Sequence, residues 1–334
     1  MACLGGHGAP GAVKRPRLSG FPLAAAIRAP TGMIEPASDH PRKSRAALVS
    51  IASNSLLIVL KIVAGALTGS IAIITEAVHS SIDLVASVVA YFSIRKADEP
   101  ADEDHQYGHA KVENLAAAIE GLLILVGAGV ILFESVRRLA DPAPVDTIGV
   151  GIAVIGFSAI ANLCVSTYLY RQARLTDSPA LEGDAAHLRT DAATSAGVLV
   201  ALVLVKVTGI EAIDPAAALL VAVAIVGAGA RVLSRSTRVL VDESLPPDEL
   251  AAVRTAVEDH GAPEVTGFHK LRARRAGSRR YVDLHVQFRP GTTLERAHRV
   301  SHELQGRIGA SVRNADVLIH LEPDGASAPG SPDD

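Results

Sequence analysis

Cysteine is scarce: the 334 residues carry two, Cys3 near the N-terminus and Cys164 inside an apolar stretch. Two thiols so placed can build neither a disulfide framework nor a thiolate metal cage, so any metal must rely on imidazole and carboxylate. A strong field of one sign is missing as well. Lys and Arg number 32 against 35 Asp and Glu, a formal net charge of -3, which gives nucleic acid no basic face to bind. HExxH does not occur, and the zinc-peptidase signature is absent with it.

What remains is divided between lipid and water. Mean hydropathy is +0.30 and 49% of residues are hydrophobic, yet 20% are charged. That is too apolar for an ordinary soluble protein and too charged for a chain wholly in lipid, so a membrane domain joined to a water-exposed domain is expected. Residues 1–44 are rich in Gly, Pro, Ala and basic side chains without sustained periodicity and read as a disordered tail. Met33 offers an alternative translation start, which residues upstream of it in the native protein would exclude.

Six apolar runs follow, at approximately 46–67, 71–94, 112–133, 147–170, 179–207 and 212–233. Each is near the roughly 20 residues that cross a bilayer. Small residues such as Gly121, Gly127, Gly129, Gly227 and Gly229 permit close helix approach in lipid. Lys61 is expected to snorkel from the outer end of the first span. Basic residues gather before the first run and after the second, fourth and sixth, so the positive-inside rule puts both termini in the cytoplasm of a multi-pass protein of the cell (inner) membrane.

Two runs carry one spacing, His79 to Asp83 in the second and His187 to Asp191 in the fifth. Residues four apart in an α-helix share a face, so each pair presents an imidazole beside a carboxylate. Two such helices face to face supply two nitrogens and two oxygens, the number and kind of ligand that zinc takes in tetrahedral sites. Ionisable groups at membrane depth are costly and are kept mainly for a pathway or a bound ion. The competing reading is a pair of polar faces bonded to each other for stability, a task that hydroxyls or amides perform with less desolvation. Glu76 and Asp184 stand three residues before each His, positioned to orient the imidazoles or stage protons, or else to face water at a helix end.

After a linker at 241–247 the pattern turns soluble over 248–324, ahead of a low-complexity tail at 325–334. A helix over 248–260 capped by Asp248, strands over 267–274 and 281–289, a helix over 293–308 and a strand over 312–321 are expected. The predicted fold class is therefore an α-helical membrane protein, six transmembrane helices over 45–240 followed by a small cytoplasmic α/β (αββαβ) domain with one helical face.

Six spans, HxxxD in the second and fifth, a His-bearing loop after the second, the αββαβ order and the run GSIAIITEAVHSSID at 69–83 together resemble the cation diffusion facilitator family of metal–proton antiporters. The likeness covers residues 44–323. It implies a transport site of His79, Asp83, His187 and Asp191, and a loop site of Asp102, His105 and His109 at DxxHxxxH spacing. It also implies metal-sensing ions in the cytoplasmic domain, held through His269, His285, His298, His320 and Glu322, the last where close relatives carry Asp. His302, four residues beyond His298, could join them. Lys111 and Asp242 correspond to a salt bridge between the two domains, and a homodimer is implied.

Two His with two Asp resemble the family's zinc transporters, so Zn²⁺ is the expected cargo and regulatory ion, with H⁺ as its counter-ion. Protons and metal compete for the same ligands. An unperturbed imidazole pKa of about 6.5 makes His79 and His187 the expected exchangers. The other readings are Cd²⁺, Co²⁺, Fe²⁺ or Mn²⁺ as main substrate, a zinc-gated sensor or channel without proton coupling, and a membrane metallohydrolase. Plain structural readings also stand: a solvated acidic loop for the second cluster, surface strand histidines for the third, an exposed ion pair for Lys111 and Asp242.

Overall fold

A computed structural model describes residues 39–68, 71–140, 149–210 and 212–325. Residues 1–38 of the expected N-terminal tail, the Met33 start and the tail after 325 lie outside the described residues, as do the side chains of Glu76 and His79, whereas residues 40–44, expected in that tail, belong to the first helix.

The six predicted spans are helices: α1 His40–Thr68, α2 Ile71–Ala97, α3 Lys111–Ala140, α4 Gly149–Thr176, α5 Pro179–Thr208 and α6 Ile213–Leu240. Most overrun their apolar runs, because 27 to 30 residues at 1.5 Å each reach about 40–45 Å, the thickness of a bilayer with its headgroup layers. Among the described residues, five helices are long and apolar enough by themselves to cross a membrane. The helix α2, part of whose side chains lies outside the described residues, matches them in length and packs on α1, α3 and α5.

The hub of the bundle is α5, which touches each of the other five helices. Its start is set locally: Ser178 caps it by accepting from the Leu181 N–H, and Pro179 follows at a position where the missing donor costs nothing. Gly209 ends it in the left-handed conformation, its N–H donating to Val205 O. Where α3 crosses α6, Gly121 leaves no room for a Cβ, which would lie 2.7 Å from Leu233 N; one on Gly229 would lie 2.9 Å from Ile124 Cγ2. Gly127, Gly129 and Gly227 have nothing within 4 Å of such a Cβ, so they do not serve the expected close approach within the described chain. Lys61 also departs from expectation. It is turned into the bundle, 3% exposed, donating to Ser80 Oγ at 2.7 Å, because a charge-assisted bond in a low dielectric holds it better than a reach to the interface.

Beyond the bundle come α7 Pro247–Glu258, β1 Val265–Ala276, β2 Arg279–Phe288, α8 Leu294–Ser311 and β3 Ala315–Pro323, the αββαβ order expected. The cap of α7 is a correction: Pro246 holds the cap position without a side-chain bond, and Asp248 lies in the first turn. Pro247, already fixed at a helical φ, starts the helix one residue early, and Asp248 serves the positive end of the helix dipole instead. β2 is central, antiparallel to β1 and parallel to β3. Its alternation decides the two faces. Val282, Leu284, Val286 and Phe288 are buried with Val253, Val257, Val300, Leu304 and Ile308 of the helices, each such side chain contributing about 1.5–3 kcal/mol. His285 points to the other face.

The β1–β2 turn docks against the base of the bundle. Gly277 N–H donates to Asn114 Oδ1 at 2.8 Å, and Tyr281 Oη donates to Tyr107 O at 2.9 Å. The expected bridge forms, with Lys111 Nζ 2.8 Å from Asp242 Oδ1, and Arg274 Nη1 reaches the same oxygen at 2.9 Å. Bonds from Lys111 and then Arg274 hold the Asp242 carboxyl below the usual carboxylate range.

Candidate metal centre

Three side chains of the intramembrane quartet meet. One ligand atom each from Asp83, His187 and Asp191 lies within 4.8 Å of the others. Asp83 comes from α2 and is 6% exposed; His187 and Asp191, from α5, are buried and half-buried. His187 Nε2 is 3.1 Å from Asp83 Oδ1 and 3.7 Å from Asp191 Oδ2, so one ring nitrogen is directed between two carboxylates. The fourth expected member, His79, stands four residues before Asp83 in α2, and its side chain is outside the described part. One imidazole and two carboxylates on adjoining helices, two of the three side chains buried, suit a divalent cation of borderline softness.

Asp184 is fully buried, accepting from Ser87 Oγ at 3.0 Å within a chain that includes Ser50 and Asn54. It braces α5 against α2 one turn below His187. It does not face water. Two further carboxylates lie buried in α3. Glu120 is 1% exposed, and its Oε2 lies 3.7 Å from His187 Nδ1. Glu113, also 1% exposed, pairs with Lys43 Nζ at 2.7 Å and accepts from Ser178. Their signal was available, since an ionised side chain inside an apolar run is costly wherever it occurs; what the sequence does not give is the partner.

The loop between α2 and α3 brings Asp102, His105 and His109 together. Asp102 Oδ1 accepts from the His105 backbone N–H at 2.6 Å, and its Oδ2 lies 3.1 Å from His109 Nε2. The His105 N–H is the main reason the Asp102 carboxyl titrates below its ordinary range; burial opposes it, and the nearby imidazoles add to it. His109 is buried while its two companions are exposed, so the cluster opens to solvent on the side of Asp102 and His105.

In the C-terminal domain, His269 faces His285 across β1–β2, and His285 faces His320 across β2–β3, on the side of the sheet away from α7 and α8. Glu322 closes the group: its Oε2 is 2.9 Å from His269 Nε2, its Oε1 bonds His285 Nδ1, and His320 Nε2 is 3.7 Å away. Burial pushes the Glu322 carboxyl up, but the bonds to His285 and His269 outweigh it and hold the group below its ordinary range. Within one chain His298 stands apart from this group. It lies exposed on α8, its Nε2 3.2 Å from His302 Nε2, in the layer on the opposite side of the sheet from the other three histidines.

Comparison with known proteins agrees with this architecture. The family description "Cation efflux transmembrane domain" matches residues 47–241, and "Cation efflux protein, cytoplasmic domain" matches residues 245–324. The chain is 35% identical over 280 residues to the uncharacterized transporter sll1263 of Synechocystis sp., covering 83% of this chain and 89% of that one. It is 32% identical over 278 residues to the cation-efflux pump FieF of Serratia proteamaculans, covering 83% and 92%. A solved chain of CzrB in its Zn form is 32% identical, covering 26% of this chain and 98% of that one with a TM-score of 0.25.

Proposed function

The chain belongs to the cation efflux family, the cation diffusion facilitators, and is a multi-pass membrane transporter of metal cations rather than an enzyme; from that premise we propose that it exports Zn²⁺ from the cytoplasm in exchange for protons. It works as a homodimer in the cell's inner membrane, with both termini cytoplasmic. The observation that carries this reading is the convergence of Asp83 on His187 and Asp191, side chains of two different helices, at a buried point in the bundle. With His79 in the same helix as Asp83, the set is two nitrogens and two oxygens, and imidazole shifts preference toward zinc over manganese, magnesium or calcium.

Exchange follows from the ligands. Asp83 and Asp191 must be ionised and the ligating imidazole nitrogens bare before a cation is held, so protons and Zn²⁺ exclude one another. Facing a near-neutral cytoplasm, the site sheds protons and takes the metal; facing a more acidic exterior, it takes protons and releases the metal. The bundle rocks about α5 to change which side is open. Asp102, His105 and His109 act as an entry or sensing site. His269, His285, His320 and Glu322 hold a regulatory ion on the exposed sheet face, where Leu318 is 67% exposed; this face pairs with its copy through a two-fold axis.

The test is zinc flux in proteoliposomes driven by an imposed pH gradient, which is expected in the unmodified protein and lost in Asp83→Ala and Asp191→Ala. Undiminished flux in either variant refutes the site, and flux indifferent to the gradient refutes the exchange. Offering Cd²⁺, Co²⁺, Fe²⁺ and Mn²⁺ to the same vesicles settles the main substrate.

A further inference from the structure

We infer that Glu120 of α3 is a positioning residue for the transport site: it accepts a hydrogen bond from His187 Nδ1–H and so fixes the ring with Nε2 toward the cation. This rests on the proposal that His187 is a metal ligand. Four observations converge on it.

First, the carboxylate has no other task. Glu120 is 1% exposed within an apolar helix, and neither of its oxygens has a hydrogen bond among the described residues. Leaving such a group without a partner is among the costlier things a protein does. Second, the atom facing it is in the same condition: His187 Nδ1 is buried without a hydrogen bond, 3.7 Å from Glu120 Oε2. A side-chain shift of under about 1 Å brings them to the usual N–H···O separation.

Third, the other end of the ring is already committed. Nε2 is directed between Asp83 and Asp191, and a neutral imidazole that gives its Nε2 lone pair to a cation carries its proton on Nδ1. The acceptor placed to take that proton is Glu120. Fourth, α5 makes room for it. A Cβ on Gly183, one helical turn before His187, would lie 3.1 Å from both Glu120 Cβ and Ala117 Cα. Glycine at 183 therefore lets the Glu120 side chain cross from α3 beneath the imidazole. A carboxylate behind a metal-bound imidazole fixes its tautomer and raises its basicity, and its loss typically costs 10–100-fold in affinity or activity.

The experiment measures zinc transport by the full-length protein in proteoliposomes, with KM and Vmax resolved for Glu120→Leu and Glu120→Gln. Glu120→Leu fills a similar volume without an acceptor and is expected to raise KM for zinc by about tenfold or more while Vmax falls little. Glu120→Gln keeps an oxygen that can face Nδ1, so it should raise KM by less than Leu does. A role in packing alone would lower the active fraction, hence Vmax, and leave KM where it was. KM within twofold of the unmodified protein in Glu120→Leu overturns the inference; should that variant fail to fold, an unchanged KM in Glu120→Gln does the same. Asp191→Ala in parallel separates the two readings. Flux lost there with Glu120→Leu normal refutes the positioning role alone, and flux retained there refutes the transport site beneath it.

Discussion

Lys43 near the start of α1 and Glu113 near the start of α3 form an ion pair sealed from solvent, Nζ and Oε1 2.7 Å apart with side chains 3% and 2% exposed. The other oxygen of Glu113 accepts from Ser178, the residue that caps α5, so one carboxylate ties three helix starts together. At an effective dielectric of about 20 the attraction is of order 6 kcal/mol, most of it offset by taking both ions out of water. Breaking such a pair is expensive because the survivor is left charged and unmatched. Lys43→Met should therefore destabilise the protein by about 3–5 kcal/mol, and Glu113→Gln by less because the amide still bonds Ser178. The double variant Lys43→Met with Glu113→Leu should recover at least about 2 kcal/mol of the summed single losses. Unfolding by added SDS in mixed micelles, followed by helical circular dichroism, measures all three. A loss below about 1 kcal/mol for Lys43→Met, or a double variant that costs the full sum, refutes the reasoning.

Two further predictions concern the junction between bundle and C-terminal domain. Asp242 titrates below its ordinary range because Lys111 and Arg274 bond it, so its contribution is present above the unfolded value of about 3.9 and is lost as pH falls through the lower folded value; the gap in melting temperature between the unmodified protein and Asp242→Asn should stay level from about pH 8 to 5 and close below about pH 4, whereas a gap that widens on acidification contradicts this. Gly277 has φ +56°, and a Cβ there would meet Ala110 O at 2.5 Å; Gly277→Ala pays about 1–2 kcal/mol for the left-handed backbone besides the clash, so protease cleavage in the 241–246 linker should accelerate, and unchanged cleavage excludes a tight dock.

What could be read from the sequence was what local geometry governs. A four-residue spacing fixes a shared helix face, so Asp191 beside His187 followed from the chain, and the costliness of charge in lipid supplied the reason for α2 and α5 to turn those faces inward. Strand alternation in the C-terminal domain was legible for the same reason. Register was not. His269 stands opposite His285 only because β1 slips between His269 and Arg272, with Lys270 at φ +50° inside the irregularity. No propensity in the chain announces that bulge.

Long-range pairing explains the larger omission. Lys43, Glu113 and Glu120 are conspicuous one at a time, yet nothing local connects position 43 to 113 or 120 to 187. The informative residue for the second pair is not charged at all. Gly183 is a glycine in the interior of a helix, which costs about 1 kcal/mol against alanine and so requires a reason; the reason is that α3 and α5 approach closely enough there for its hydrogen to meet the stem of Glu120. Paired with a lone carboxylate in a neighbouring span, a glycine one turn from a ligand histidine marks where a second helix delivers support to that ligand. On the proposed reading the transport centre takes in three helices, α2 and α5 supplying ligands and α3 holding one of them in place, which would join metal affinity at His187 to the packing of a helix that donates no ligand itself.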